Sequence, residues 1–156
     1  MDLKKIYESY QKKYKLPDYD KLDHEFELLY VNNIIEIKYP LRFIRRRIID
    51  KIGYFIGILQ GILQPNPASI ISLEESKFFS EEEKKNISLL INRLMLLQRE
   101  STVLDTDFNI DEDAKLIRES YKFWLDTKKD ILKIIETFVQ NWKKEAKEES
   151  KKEYIG

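Results

Sequence analysis

Apolar residues recur along most of this chain at helical spacing, and the breaks in that rhythm divide it into segments. Leu3, Ile6, Tyr7, Tyr10 and Tyr14 share one side of a helix over residues 2–15, whose other face is basic. The segment ends before Leu16-Pro17, because the residue preceding a proline is driven out of helical geometry. Residues 19–31 predict a second helix. Beyond it the pattern divides: Phe26, Leu28 and Tyr30 alternate, as do Ile35, Ile37 and Tyr39, so a hairpin turning at Asn32-Asn33 competes with a helix followed by an extended link. The helix followed by an extended link is the favoured reading, and a small irregular or hairpin element near residues 28–39 is the alternative.

Pro40 suits a first helical turn, where its missing N–H costs nothing, and Leu41, Ile44, Ile48, Ile52, Phe55, Leu59 and Ile62 then form a stripe that stops at Gln64-Pro65. Asn66-Pro67-Ala68 opens a short helix to about Phe79, with Ile70, Ile71 and Leu73 as its apolar residues. Ser80 with Glu83 has the capping-box spacing, in which hydroxyl and carboxylate each satisfy an orphan backbone N–H, and a long helix to about Leu104 follows. Residues 105–109 are turn-like, and Asn109 with Glu112 caps the last helix, whose acidic first turn Asp111-Glu112-Asp113 complements the helix dipole. Its stripe, Ile117, Tyr121, Trp124, Ile131, Ile135, Phe138 and Trp142, keeps a 4,3 spacing interrupted at Lys128. An amphipathic helix must bury its stripe against another, so the fold class is all-α, an antiparallel bundle of four to six helices. Residues 1–142 are expected to form one domain, and 143–156 a charged, solvated helical extension that frays.

Length agrees with one core: 156 residues is the usual size of one domain. With 28 basic and 28 acidic side chains, the chain lacks the overall attraction for phosphate on which most nucleic-acid binders rely. Having no cysteine, it makes no disulfide, thiolate metal site or cysteine nucleophile, which suits the cytoplasm. The longest nearly apolar run, Ile52–Leu63, is too short to span a bilayer, which takes about 20 residues. No signal peptide is apparent at the N-terminus.

Four features invite a functional reading. Gly53, Gly57 and Gly61 stand four apart on one side of a helix, where glycine costs about 1 kcal/mol relative to alanine. Either another helix of the bundle crosses closely there, or the ladder is a groove for self-association or partner docking. Arg42, Arg45, Arg46 and Arg47, followed by Lys51, concentrate positive charge. Their planar donors suit phosphate, so this helix is a candidate anion or nucleic-acid contact; the alternative is a solvated face pairing with the acidic residues Asp18, Asp20, Asp23, Glu25 and Glu27. His24, the only histidine, can align with Asp20 and Glu27, yet without HExxH or paired Glu-x-x-His motifs it reads as a surface residue, and no metal or other cofactor is expected. Tyr121, Trp124 and Trp142 read as core, while Phe123 and Leu125 lie off that stripe. There is no P-loop, G-x-G-x-x-G or G-x-S-x-G, and Asp111 and Asp113 are accounted for by capping, so no enzymatic activity is expected.

The stretch Tyr19-Asp20-Lys21-Leu22-Asp23-His24-Glu25-Phe26-Glu27, the arginine helix Leu41–Lys51, Leu63-Gln64-Pro65 and the capping segment Phe78–Lys85 resemble a group of small uncharacterised archaeal helical proteins. The likeness covers most of residues 18–142. It implies an archaeal cytoplasmic origin and transfers no activity. The leading expectation is a non-enzymatic helical module that docks a protein partner or a second copy of itself; the rival is a nucleic-acid or ribosome-associated factor using the arginine helix and the basic face of residues 4–15.

Overall fold

The computed structural model describes residues 2–28 and 38–155, and every regular element among them is a helix. These are α1 (Leu3–Tyr14), α2 (Tyr19–Phe26), α3 (Pro40–Leu63), α4 (Ile70–Lys77), α5 (Glu81–Thr106) and α6 (Ile110–Glu153). The all-α bundle is as the periodicity predicts. The extended link, or the irregular or hairpin element, expected near 28–39 lies, except for its flanks, outside the described residues. No helix among the described residues is long and apolar enough to cross a membrane.

Local chemistry sets most helix ends. Pro40 occupies the first turn of α3, and the capping box of α5 forms in full, with Glu83 N–H donating to Ser80 Oγ and Ser80 N–H donating to Glu83 Oε2 at 2.7 Å. Asn109 Oδ1 accepts from the backbone N–H groups of Asp111 and Glu112, satisfying two of the donors that the start of α6 leaves free. Two ends differ from expectation. α2 stops at Phe26 and not near residue 31, because Glu27 turns into the left-handed region (φ 54°) and its N–H closes on the Asp23 carbonyl. α4 starts at Ile70 and not at Asn66, because Asn66 Oδ1 is taken by the Ala68 N–H in a tight turn and Ser69 caps instead.

α3 forms the centre of the bundle. Arg45 meets Ser101 and Asp105 of α5, and Gly53 meets Gln98, so α3 and α5 run antiparallel. Arg45 also meets Asp113 of α6, and Phe55 meets Trp124, so α3 and α6 run parallel. Ile44, Ile48, Ile52, Leu59 and Ile62 of α3 are buried between them, together with Leu94 and Leu97 of α5 and Ile117, Trp124 and Ile131 of α6. Removing a leucine or isoleucine side chain from water is worth about 1.5–3 kcal/mol, which makes this three-helix seam the main source of stability. α1 and α2 close one side through Leu3, Tyr7, Tyr19, Leu22 and Phe26; the Tyr7 hydroxyl donates to the Pro17 carbonyl at 2.7 Å. Burial raises the pKa of Tyr7, and that of Tyr19 to about 12.

α6 has 44 residues against 24 in α3 and 26 in α5. At 1.5 Å per residue it is about 66 Å long where α3 is about 36 Å, so its C-terminal part projects beyond the bundle. Residues 142–155 are exposed throughout, and the chain stays helical to Glu153.

Candidate functional site

The arginine helix does not present a row of free guanidinium groups. Arg45 is buried, 1% exposed, and its planar fork is filled. Nε donates to Asp113 Oδ1, Nη1 to the carbonyl and hydroxyl oxygens of Ser101, and Nη2 to Asp105 Oδ1 at 2.7 Å. Arg46 donates to the same Asp105 oxygen at 2.9 Å. Arg42 donates to the Leu104 carbonyl in the last turn of α5, where a cation complements the helix dipole, and lies over the Phe108 ring at 5.1 Å. Arg47 is partly buried, its Nε without a partner among the described residues. Lys51 donates to the Glu25 carbonyl and sits 5.0 Å from the centre of the Trp124 ring.

Both readings of this cluster therefore need correction. Arg45 cannot reach a phosphate without breaking its bonds to Asp113, Asp105 and Ser101. The carboxylates that hold Arg45 and Arg46 belong to α5 and α6; from the acidic stretch 18–27, Glu25 meets Lys51, through its backbone carbonyl and through the charge of its carboxylate. Asp113 is likewise more than a capping residue. It is 0% exposed, and its Oδ2 has no partner among the described residues. Burial raises its pKa, and the hydrogen bond and charge of Arg45 offset that only in part. Asp105 shows the opposite balance: burial pushes its pKa up, but hydrogen bonds from Arg45 and Arg46 prevail and leave it lowered. Glu25 is similar, with burial outweighed by hydrogen bonds from Lys128 and Trp124, each at 2.6 Å. These are clamps between helices.

At the glycine ladder the structure separates three positions that the spacing made equivalent. A Cβ on Gly53 would stand 3.1 Å from Gln98 Nε2, so here the bundle uses the close approach. Among the described residues nothing lies within 4 Å of a Cβ at Gly57 or Gly61, so neither is a point of close helix crossing. Both line a cleft of about 390 Å³ that also touches Ser72, Glu75, Ile135 and Phe138.

Two exposed apolar columns, of which the sequence reading singled out only Leu125, run along α5 and α6. On α5, Leu89, Leu96 and Val103 follow one another at intervals of seven and are each more than half exposed. On α6, Leu125, Leu132 and Val139 do the same, at 39%, 56% and 48% exposure. The signal was available in the spacing, but on α6 it lies one position beyond the buried stripe and was hidden by it. Trp142 is also exposed instead of buried: its ring rests edge-on against Phe78, and its Nε1–H donates to Glu75. Trp124 is core as expected, Tyr121 and Phe123 are partly buried, and Arg93 stacks over Phe123 at 4.5 Å.

A cleft of about 420 Å³ between α5 and α6 has Phe79, Ile87, Leu90 and Ile134 in its lining, with Glu83 and Arg93 among its polar residues. Glu83 is already used in the capping box. His24 is on the surface, and among the described residues no three His, Cys, Asp or Glu side chains gather as metal ligands. No protein family, curated protein or solved structure matches this chain.

Proposed function

We propose that this chain is a non-enzymatic helical interaction module that docks a protein partner or a second copy through the exposed faces of α5 and α6. The observation that carries the reading is the pair of aliphatic columns, Leu89-Leu96-Val103 and Leu125-Leu132-Val139, set at heptad spacing on the two longest helices and left in solvent. Apolar side chains aligned along a helix at that interval favour a further helix as neighbour. Engagement of Arg42, Arg45 and Lys51 within the bundle, and pairing of the exposed Arg46 with Asp105, argue against the nucleic-acid reading. The cysteine-free composition and the resemblance to archaeal helical proteins support an archaeal cytoplasmic setting.

Size-exclusion chromatography with light scattering and dual-wavelength absorbance, on natively purified protein at low and high salt, tests this. An assembly that is free of nucleic acid and indifferent to salt supports the reading, because apolar contacts are hardly screened. Co-eluting nucleic acid that salt strips away overturns it, since phosphate contacts weaken steeply with added salt.

A further inference from the structure

We propose that the exposed column of α6 is the seam of an antiparallel homodimer, in which residues 143–153 of each copy lie along residues 128–138 of the other copy's α6. This rests on the interaction reading and names its surface and its partner.

The first argument is the pattern on α6. Leu125, Leu132, Val139 and Ala146 recur every seven residues, and Ile135 and Trp142 stand three beyond Leu132 and Val139, which together make the a and d positions of a heptad. The adjoining column, Ile117, Trp124, Ile131 and Phe138, is the one packed against the rest of the bundle. α6 therefore carries two neighbouring seams that share Ile135 and Trp142. One is covered within the chain, and the other is open.

The second argument is the projection. α3 accompanies α6 from Asp113, at Arg45, to Phe138, which shares a cleft with Ile62. Beyond Asn141 every residue of α6 is exposed, yet the helix continues to Glu153. Residues 143–153, about 16 Å of helix, gain no cover from the described residues of the bundle. Gly57 and Gly61 leave open space beside Ile135 and Phe138, on the flank where an added helix would lie.

The third argument is charge, which selects the occupant and the register. With a two-fold axis between Gln140 and Asn141, Val139 packs on Trp142 of the second copy and Ile135 on its Ala146. Leu132 meets the stem of Glu149, whose methylenes cover apolar surface. At the edge of the seam Glu136 faces Lys143 of the second copy, twice by symmetry, and Lys129 faces Ser150. No like charges are opposed. Moving the axis by half a heptad sets Glu136 against Glu136 and Lys129 against Lys143. A full heptad sets Lys122 against Lys143. A parallel pair sets Glu136 beside Ile131 and Lys143 beside Phe138, so it forms no ion pair. Of these arrangements only the first forms ion pairs without opposing like charges.

Sedimentation equilibrium on the full chain and five variants tests the proposal, with far-UV circular dichroism as the control for folding. Val139→Glu places a charge in the centre of the seam at a half-exposed site; it is expected to weaken the dimer about 100-fold or more while the bundle stays folded. Glu136→Lys and Lys143→Glu each replace two attractive pairs by two repulsive ones, and each is expected to weaken the dimer about tenfold. The double exchange Glu136→Lys with Lys143→Glu is expected to recover to within about threefold of the parent chain, a rescue that general destabilisation would not produce. A parent chain that stays monomeric at every accessible concentration overturns the proposal, as does a double exchange without recovery. A dimer that ignores Val139→Glu but is broken by Leu96→Glu overturns this seam and leaves the interaction reading standing on α5. Nucleic acid bound at low salt would instead defeat the interaction reading.

Discussion

Replacing Arg45 by methionine tests the central clamp. The substitution keeps an unbranched side chain of similar length in the core and removes only the guanidinium. Asp113, fully buried, loses its hydrogen-bonded partner on Oδ1 while Oδ2 has none among the described residues, so a carboxylate is left in the core without a hydrogen-bonded cation. Breaking one side of a buried ion pair costs about 3–5 kcal/mol at neutral pH. For a domain of this size each kcal/mol lowers the melting temperature by about 2–4 °C, so Arg45→Met should melt about 10 °C lower.

The deficit should also depend on pH. Burial already raises the pKa of Asp113 with Arg45 in place, and the variant loses the one group that lowers it most. A folded-state pKa above the unfolded one means that the folded protein holds the proton more tightly. Stability is then retained at low pH and lost as pH rises from the ordinary carboxyl range through the folded-state pKa. Urea unfolding followed by tryptophan fluorescence, at one protein concentration, should give a deficit clearly smaller at pH 4.5 than at pH 7. Removing both charges in Arg45→Met with Asp113→Ala should cost less at pH 7 than Arg45→Met alone. A single variant within about 1 kcal/mol of the parent at pH 7, or a deficit that does not shrink on acidification, would refute the reasoning.

Acid should weaken the parent chain through Glu25 and Asp105, whose pKa values are lowered by their cationic partners: their contribution is complete above the unfolded carboxyl range near pH 4 and is lost as pH falls below it. Glu25→Gln should therefore show a shallower loss of urea midpoint between pH 5 and pH 3 than the parent, and parallel curves would exclude that role. Ser80→Ala should cost about 1 kcal/mol by removing the hydroxyl half of the capping box, read from the same unfolding curves. Gly57→Ala should stabilise the folded chain by about 0.5–1 kcal/mol, because the added methyl meets open space in a helix. Gly53→Ala should gain less, since Gln98 must move, and a larger gain at Gly53 than at Gly57 would contradict this.

Local grammar was legible in the chain because its causes are local. Ser80 with Glu83, Asn109 and Pro40 each act on backbone within a few residues, and the helices begin where these residues place them. The end of α2 was not legible, because the left-handed turn falls on Glu27, a residue with no preference for it. The role of Arg45 was hidden for another reason. Its i, i+3 and i+4 relation to neighbouring arginines suggests a charged face, whereas its place between Leu41 and Ile49 on the buried stripe is what decided the outcome. Asp113 is the matching case, one turn before Ile117 on the inner face of α6. A basic residue in the apolar column of one helix and an acidic one in that of another is the signal that joins them, and reading it requires knowing that the two columns meet.

These placements divide the bundle along its length. At one end Arg45 ties α3 to α5 and α6 through a filled set of hydrogen bonds, with Arg42 on the last turn of α5 beside it. At the other end the apolar surface outruns its cover: Leu132, Val139 and Trp142 are exposed, Gly57 and Gly61 border a cleft, and α6 continues beyond its neighbours. A buried ion pair contributes little net stability but penalises any arrangement that strands one of its charges, so it holds the three long helices in register at the closed end. That fixed register sets the angle at which α6 leaves the bundle, and with it the line along which an added helix would have to lie. In the proposed dimer, the arginines that looked like a binding face act indirectly, by orienting the helix that carries the seam.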